Sequence, residues 1–388
     1  MQKSLLNFLF ALACGVIVAN LYYAQPILSQ IANSLNIGVE NIAFITTITQ
    51  VGYALGMFFL VPLLDILENK KLIISIMILN VIALFLTGFS QNFLSLLAVF
   101  LMVGISASSV QMIVPFGASM VPENIRGATV GRIMSGLLFG IMLARPISSF
   151  LSGQIGWSGV FIFSATLGLL LVIAFLLLMP TKQPMNRINY FKLLTSMVDL
   201  FLNTALLRQR GFYHFLAFGA FCLFWIVSPL VLIEKFHFNT NQVALFALIG
   251  VVGALIAPIA GRLADSGRSE WATKIALLSV GLAMILAGIP IPNAWGSIFW
   301  LGICGIILDF GVSLNLVIGQ RIIYTLGDNI RARLNALYMV MFFIGGALGS
   351  YLGAFIYVHW GYSMAFLLGG FMGLAALFLF RWNLRKNH

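Results

Sequence analysis

The chain has 388 residues, of which 61% are hydrophobic and 8% are charged, and its mean hydropathy is +1.05. Soluble domains carry about 25% charged residues, and no soluble fold of this length hides so much apolar surface. The apolar runs are also longer than the ~10-residue strands of a membrane barrel. We therefore predict an all-α membrane protein, because helices satisfy their backbone hydrogen bonds within lipid.

Apolar runs long enough to cross a bilayer, about 20 residues each, follow one another along the whole chain. The first run resembles a signal peptide but continues to Leu28, so we interpret it as a membrane span. The twelve predicted spans cover residues 5–31, 42–66, 71–89, 93–120, 128–152, 157–179, 211–233, 240–263, 272–290, 295–320, 331–357 and 360–380.

The longest polar interval lies between the sixth and seventh spans. It predicts an N-terminal six-helix bundle at 1–180, a cytoplasmic central loop at 181–210 and a C-terminal six-helix bundle at 211–388. Within the loop, Phe191 and Val198 fall near one helical face. This spacing is typical of an amphipathic helix on the membrane surface, and a plain linker is the alternative.

Basic residues are distributed unequally between the two sides of the membrane. Of the 21 Lys and Arg residues, 19 fall on the side that holds the N-terminus, Lys235 falls on the other side, and Arg145 lies within a span. Because loops rich in Lys and Arg stay in the cytoplasm, we predict that both termini are cytoplasmic. This bias accounts for the net charge of +11 without a nucleic-acid partner.

Two short segments recur at one offset of 205 residues. The sequence ENIRG at 123–127 returns as DNIRA at 328–332, and GWSGVF at 156–161 returns as GYSMAF at 361–366. We interpret the halves as parallel, pseudo-symmetric repeats. Such repeats place a substrate site between them near the middle of the membrane.

The loop GRLADSGR at 261–268 resembles the signature loop of the major facilitator superfamily, and VPLLDILENKK at 61–71 is similar to an eroded copy of it. The resemblance implies two six-helix halves and transport of a small solute by alternating access. Charge pairs among these loops would close the cytoplasmic side, although the same charges also fit the positive-inside bias alone. The predicted gate residues are Asp65, Lys70, Lys71, Arg126, Arg132, Gly261, Asp265, Gly267, Arg268, Arg331 and Arg333.

The first and fifth spans add a narrower resemblance. Residues 19–26, ANLYYAQP, and 143–145, LAR, look like a bacterial subgroup near the drug and sugar efflux branch of drug:proton antiporters. The chain departs from this branch at two places. The branch often has an arginine in the fourth span, whereas the fourth span of this chain has no basic residue, and Ile141 follows Gly140 where the branch has a proline. The resemblance implies a multi-pass protein of the bacterial inner membrane.

Asp309 is the only acidic residue that we predict deep in a span, past its middle. An ionised side chain there costs about 2.5–3.5 kcal/mol or more, so such residues usually face a cavity. A carboxyl group that is charged or neutral near pH 7 couples a proton to a conformational change. We predict that Asp309 is the proton-coupling residue; a structural carboxylate is the alternative. The histidines, including His214, are predicted at span ends or in loops.

Polar and aromatic residues within other spans predict the substrate cavity. Arg145 stays charged and is predicted to hold an anionic group, to pair with Asp309 in one state, or to extend outward to the interface. Tyr23 as an interfacial anchor and Trp225 as a packing residue are alternatives. The predicted cavity residues are Arg145, Asn20, Tyr22, Tyr23, Gln25, Gln111, Trp225, Ser313 and Asn315.

We expect no enzyme activity, cofactor or metal site, since catalytic and nucleotide-binding motifs are absent and the three cysteines lie apart in apolar runs. The first hypothesis is proton-coupled efflux of a small organic solute. Import of a nutrient or metal chelate, by proton symport or facilitated flux, is the second, and a non-transporting membrane sensor is a remote third. The expected partners are the substrate, protons and the lipid bilayer, with the chain acting as a monomer.

Overall fold

A computed structural model describes residues 2–38, 41–184, 189–250, 269–327 and 330–387. Within these ranges the chain is helical and has no strand. The first half contains α1 (Gln2–Ala19), α2 (Leu28–Leu35), α3 (Ala43–Phe59), α4 (Asn69–Gly88), α5 (Phe93–Ala107), α6 (Ser109–Ser119) and α7 (Glu123–Leu178). Short 3₁₀ turns at Gln25–Ile27 and Val61–Asp65 follow α1 and α3.

The second half begins with a helix at Tyr190. It contains α8 (Tyr190–Asn203), α9 (Ala205–Glu234), α10 (Thr240–Ala247), α11 (Ser269–Ala287), α12 (Ala294–Tyr324) and α13 (Arg331–Asn387). Eight helices in the described ranges are long and apolar enough to cross a membrane, and two of these are about twice the usual length. The predicted eighth span, 240–263, begins at Thr240 as expected but continues into residues outside the described ranges.

The two longest helices each bend at one glycine. Gly156 in α7 has φ 75° and Gly361 in α13 has φ 82°, a left-handed backbone that glycine adopts without a Cβ penalty. Each bend divides its helix into two spans, five and six in α7, and eleven and twelve in α13. The two glycines are also the first residues of the repeated segments, so the 205-residue repeat corresponds to a repeated helical hairpin.

The chain divides into two compact units. One comprises Met1–Leu35 and Ile48–Ser196, and the other Asn36–Thr47 and Met197–His388. In the first unit α1 packs along α7, and in the second α9 packs along α13. The predicted boundaries at 180 and 211 stay a prediction.

Spans one and five pack at backbone contact in the first unit. A Cβ atom on Gly136 would lie 2.1 Å from the carbonyl oxygen of Ala11, and one on Gly140 would lie 2.2 Å from that of Gly15. Small residues four apart permit such close approach of membrane helices. The Gly136-x-x-x-Gly140 pair is thus a packing surface.

The second unit repeats this packing between spans seven and eleven. A Cβ atom on Gly345 would lie 2.1 Å from the carbonyl oxygen of Phe215, and one on Gly349 would lie 2.0 Å from that of Gly219. The same kind of contact therefore joins the first and fifth helices of each half.

Helix α9 begins six residues earlier than the predicted span, at Ala205 instead of 211. This corrects two assignments from the sequence. Arg210 is buried in the helix and not in the loop, and His214 lies more than two turns inside it, fully buried, and not at a span end. The basic residues Arg208 and Arg210 made the first turns of α9 look like loop.

Helix α8 lies within the predicted central loop. Its Leu193 and Met197 are buried, whereas Phe191, Val198 and Leu202 are exposed. Large apolar side chains on the exposed face of a helix fit contact with a membrane surface.

Candidate functional site

Arg145 is the buried cation of the first unit. Its side chain, on α7, is only 3% exposed. Its Nε donates to Oε1 of Gln25 at 2.9 Å, and its Cζ lies 5.1 Å from the ring centroid of Tyr22. The alternative in which Arg145 extends outward to the interface is therefore wrong, because the guanidinium is enclosed by an amide and an aromatic face.

The break in span one positions these partners. After α1, the chain passes through a turn and a 3₁₀ segment at Gln25–Ile27 that contains Pro26, and proline interrupts a helix by removing a backbone donor. Tyr23 accepts a hydrogen bond at its carbonyl from Ser148 Oγ of α7 at 2.6 Å. The side chain of Tyr23 is buried within this unit, with 5% exposed. The alternative in which Tyr23 is an interfacial anchor is therefore wrong.

Asn20 joins several spans through a buried amide network. Its Nδ2 donates to Asn80 Oδ1 at 3.2 Å, and its Oδ1 accepts from Ser164 Oγ at 2.6 Å. Asn80 Nδ2 in turn donates to Ser106 Oγ at 3.0 Å. The network ties spans one, three, four and six together, which is a structural task; a cavity role for Asn20 stays a prediction.

Gln111, another predicted cavity residue, is half-buried on α6. Its Nε2 donates to the hydroxyl of Tyr53 on α3 at 3.1 Å. This bond joins spans two and four across the point where α5 gives way to α6. Contact of Gln111 with a substrate stays a prediction.

Asp309 is the buried acid of the second unit. It is the 16th of the 31 residues of α12, and so lies at the midpoint of the helix and not past it. Its side chain is 5% exposed, and it is the only acidic residue among the buried polar side chains of the described ranges. A carboxylate in the middle of a membrane helix is costly, so Asp309 is a candidate functional residue.

Trp225 of α9 is the partner that the sequence did not reveal. Its Nε1 donates to Asp309 Oδ1 at 3.0 Å, and its ring is 1% exposed. A Cβ atom on Gly250 would lie 2.9 Å from the indole and 3.0 Å from Asp309 Oδ2. Trp225 thus orients the carboxylate as well as packing, and the glycine leaves room for the pair.

Asn315 and Ser313, the other predicted cavity residues of α12, have different surroundings. Asn315 is 1% exposed, and its Nδ2 lies 2.8 Å from Nδ1 of His214. Ser313 is half-buried. The imidazole of His214 stacks on the ring of Phe342, with centroids 4.5 Å apart, and on that of Tyr338, with centroids 5.2 Å apart.

The predicted gate residues are only partly within the described side chains. Lys70 donates to the carbonyl of Leu176 at 2.9 Å, Lys71 pairs with Glu68 at 3.0 Å, and Arg331 donates to the carbonyl of Tyr324 at 3.2 Å. Asp65 and Arg132 are exposed and Arg333 is half-buried. The side chain of Arg126, and the residues Gly261, Asp265, Gly267 and Arg268, lie outside what the structure describes.

Within the described ranges, no three His, Cys, Asp or Glu side chains come together as metal ligands would. The three cysteines are buried and unbonded to one another. Among the acidic, basic and histidine side chains of the described ranges, one acid, two arginines and one histidine are buried.

Comparison with known proteins identifies the family of this chain. Residues 8–323 match the family model of the Major Facilitator Superfamily. The chain belongs to this superfamily. It is 34% identical over 370 residues to the uncharacterized transporter YgaY of Escherichia coli O157:H7, a match that covers 95% of this chain and 93% of YgaY. It is 28% identical to the probable transporter SCO4007 of Streptomyces coelicolor, over 92% and 82% of the two chains.

A solved structure gives the same fold. The fold is similar to the crystal structure of a bacterial homolog of the human lysosomal transporter Spinster, with a TM-score of 0.79, 14% identity and coverage of 99% and 97%. The predicted twelve-helix, two-half architecture of the superfamily is thus confirmed. As a major facilitator protein, the chain is a multi-pass membrane transporter of small molecules. The efflux branch suggested by spans one and five stays a prediction.

Proposed function

We propose that this transporter exports a small organic solute in exchange for protons across the bacterial inner membrane. It acts as a monomer with both termini in the cytoplasm, and its six-helix bundles at 1–180 and 211–388 are joined by a cytoplasmic loop. Support for the direction comes from the likeness of residues 19–26 and 143–145 to the efflux branch. Support for the topology comes from the bias of Lys and Arg between the loops.

The observation that carries proton coupling is the pair of Asp309 and Trp225. A carboxyl group at the midpoint of a membrane helix costs several kcal/mol when ionised, and the indole N–H at 3.0 Å stabilises that ionised form. A rearrangement that separates the two side chains would favour uptake of a proton by Asp309. Proton binding and movement of α9 against α12 are thereby linked, which is what a gradient-driven carrier needs.

Arg145 supplies the complementary task in this proposal. Its charge does not titrate, and its Nε is held by Gln25 while Tyr22 covers its face. A guanidinium fixed in this way is suited to an anionic or strongly polar group of the solute. The exposed residues Asp65, Arg132 and Arg331 act with the rest of the predicted gate set to close the cytoplasmic side.

Proteoliposomes test the proposal directly. Purified protein is reconstituted with a pH-sensitive dye inside, and aromatic carboxylates, lipophilic organic cations and sugars are added in turn outside. An exchanger moves protons opposite to the added solute, whereas a symporter moves both in the same direction. Solute uptake that is unaffected when an ionophore collapses the pH gradient, with no dye response, would contradict proton coupling.

A further inference from the structure

Arg210 is a second buried arginine, near the start of α9 in the second unit. Its side chain is 8% exposed. Its Nη1 donates to Thr273 Oγ1 at 3.0 Å, and its Cζ lies 5.2 Å from the ring of Phe380 and 6.0 Å from that of Tyr213. All of these contacts are with neutral groups.

Across the ranges that the structure describes, no carboxylate lies within ion-pair distance of Arg210; the ion pairs there are Lys71 with Glu68 and Lys274 with Glu270. Buried charges in proteins are normally compensated by a counter-charge or by several strong hydrogen bonds. Two cation–π contacts and one hydroxyl give only part of that compensation. A bound anion would supply the missing compensation for the charge of Arg210.

Two further polar atoms beside Arg210 lack a partner in the described part of the chain. His214 follows Arg210 by one helical turn, a spacing at which side chains on a helix are neighbours. Its Nε2 is fully buried and makes no hydrogen bond, and the same is true of the hydroxyl of Tyr338, whose ring stacks on the imidazole. Buried polar groups without partners are rare and indicate a bound water, ion or ligand.

All three groups can act as hydrogen-bond donors. The amide Nδ2 of Asn315 faces Nδ1 of His214 at 2.8 Å. With that amide as the donor, Nδ1 accepts, and the proton of the neutral imidazole lies on Nε2. The Tyr338 hydroxyl and the Arg210 guanidinium also donate, so the local set is complementary to an acceptor with negative charge.

A cavity in the same unit is lined by residues of α12 and α13. Its volume is about 460 Å³, and its lining includes Gln320, Arg321, Tyr324 and Arg331. The Tyr338 hydroxyl is seated against the neighbouring Gly319, where a Cβ atom would come within 2.1 Å of it. Two arginines in the cavity wall raise the local concentration of anions.

We infer that Arg210, His214 and Tyr338 together bind an anionic group, a carboxylate or a phosphate, at the α9–α12–α13 face of the second unit. The group belongs to a free anion or to a lipid headgroup. This inference goes beyond the proposed proton exchange, since it requires neither a pH gradient nor Asp309. Either proposal therefore fails or succeeds without the other.

Thermal unfolding of the purified, delipidated full-length protein tests the inference. The Tm is measured against sodium phosphate, sodium benzoate and phosphatidylglycerol in separate titrations, with sodium chloride holding the ionic strength constant. A ligand that binds the folded state raises the Tm in a saturable way. Arg210→Gln and Tyr338→Phe are compared with the matched control Arg208→Gln, whose native side chain bonds the main-chain carbonyls of Phe201 and Leu202.

At least one of the three probes is expected to raise the Tm of the wild type. Its apparent affinity should fall about tenfold or more in Arg210→Gln and Tyr338→Phe, because each loses a hydrogen bond to a charged group, and should be unchanged in Arg208→Gln. An effect of phosphatidylglycerol alone would assign the anion to a lipid headgroup. No saturable rise with any probe, or an equal rise in the wild type and Tyr338→Phe, would overturn the inference even if Arg210→Gln does not fold.

Discussion

The two halves of this transporter share a backbone plan but carry different chemistry. In each half, the helix that contains the fifth and sixth spans bends at a glycine. The first and fifth spans of each half also pack through close backbone contacts at glycines. Between the two repeated segments, however, position 145 is Arg and position 350, which is 205 residues later, is Ser. In the described ranges, the first half buries one permanent cation, Arg145, and no acid. The second half also buries a cation, Arg210, but adds a buried acid, Asp309, that can gain or lose a proton.

The repeat preserves the helix packing of the two halves but not their buried charged residues. Helix packing depends on small residues at fixed spacing, so it survives duplication of the chain. The buried charges sit in non-repeated surroundings: Gln25 and Tyr22 hold Arg145, whereas Trp225 holds Asp309. We conclude that substrate binding and proton coupling are divided between the halves in the proposed mechanism.

The glycine contacts should give the largest effect of substitution, and an effect of equal size in both halves. Gly140→Val and Gly349→Val each place side-chain atoms into the backbone of the facing helix, which lies 2.0–2.2 Å from the Cβ position. Overpacking that cannot relax costs about 3 kcal/mol or more. Size-exclusion chromatography should show little monodisperse protein for either variant. Gly131→Val is the control, since nothing lies within 4 Å of its Cβ position; a normal yield for only one of the two variants would break the equivalence.

The next effect should appear at the cation of the first half. Arg145→Lys keeps the charge but loses the planar fork that contacts Gln25 and Tyr22. We expect solute flux to fall about tenfold or more, as a hydrogen bond to a charged group is worth about 1.5–3 kcal/mol. Flux is measured in proteoliposomes at matched protein density. Arg381→Lys, at an exposed position of α13, should transport normally. Normal flux in Arg145→Lys as well would limit Arg145 to packing.

Trp225→Phe tests the partner of the acid in the second half. The substitution keeps an aromatic ring but removes the N–H that donates to Asp309. Gradient-driven flux should fall about tenfold, because one charge-assisted hydrogen bond is lost. Trp271→Phe, at an exposed tryptophan in α11, is the matched control. An unchanged rate in Trp225→Phe would mean that the indole only packs against its neighbours.

The smallest expected effect is a loss of thermal stability without a loss of transport activity. Asn80→Ala removes the centre of the amide network that reaches Asn20 and Ser106. Leaving buried groups unsatisfied costs about 1–3 kcal/mol, so the Tm should drop while the flux per folded molecule stays near that of the wild type. A drop in flux at unchanged Tm would instead assign the network to the substrate path.

The sequence predicted the spans well because hydropathy depends only on composition within a window. The repeat includes Gly156 and Gly361, but we did not predict from the sequence that the two long helices bend at these residues. The sequence missed the start of α9, because Arg208 and Arg210 look like loop residues when their burial is unknown. The same error placed His214 at a span end, so its burial was not predicted.

Pairs between distant parts of the chain were beyond the sequence. Asp309 was identified from its isolation in an apolar run, but its partner Trp225 is 84 residues away. Arg145 and Gln25 are 120 residues apart, and their contact depends on the bend of span one at Pro26. A sequence therefore identifies a charged residue in an apolar span. The partner of that residue is found only when the packing of the helices is known.

The central claim is that Asp309 is the group on which coupling depends, and its amide variant tests it most directly. Asp309→Asn keeps the size of the side chain and removes its titration, while Asp199→Asn makes the same change at an exposed position on α8. Solute accumulation driven by an imposed pH gradient is measured in proteoliposomes for both variants and the wild type. We predict that accumulation is lost in Asp309→Asn, with passive exchange of solute retained, and is normal in Asp199→Asn. Full accumulation by Asp309→Asn would contradict the account.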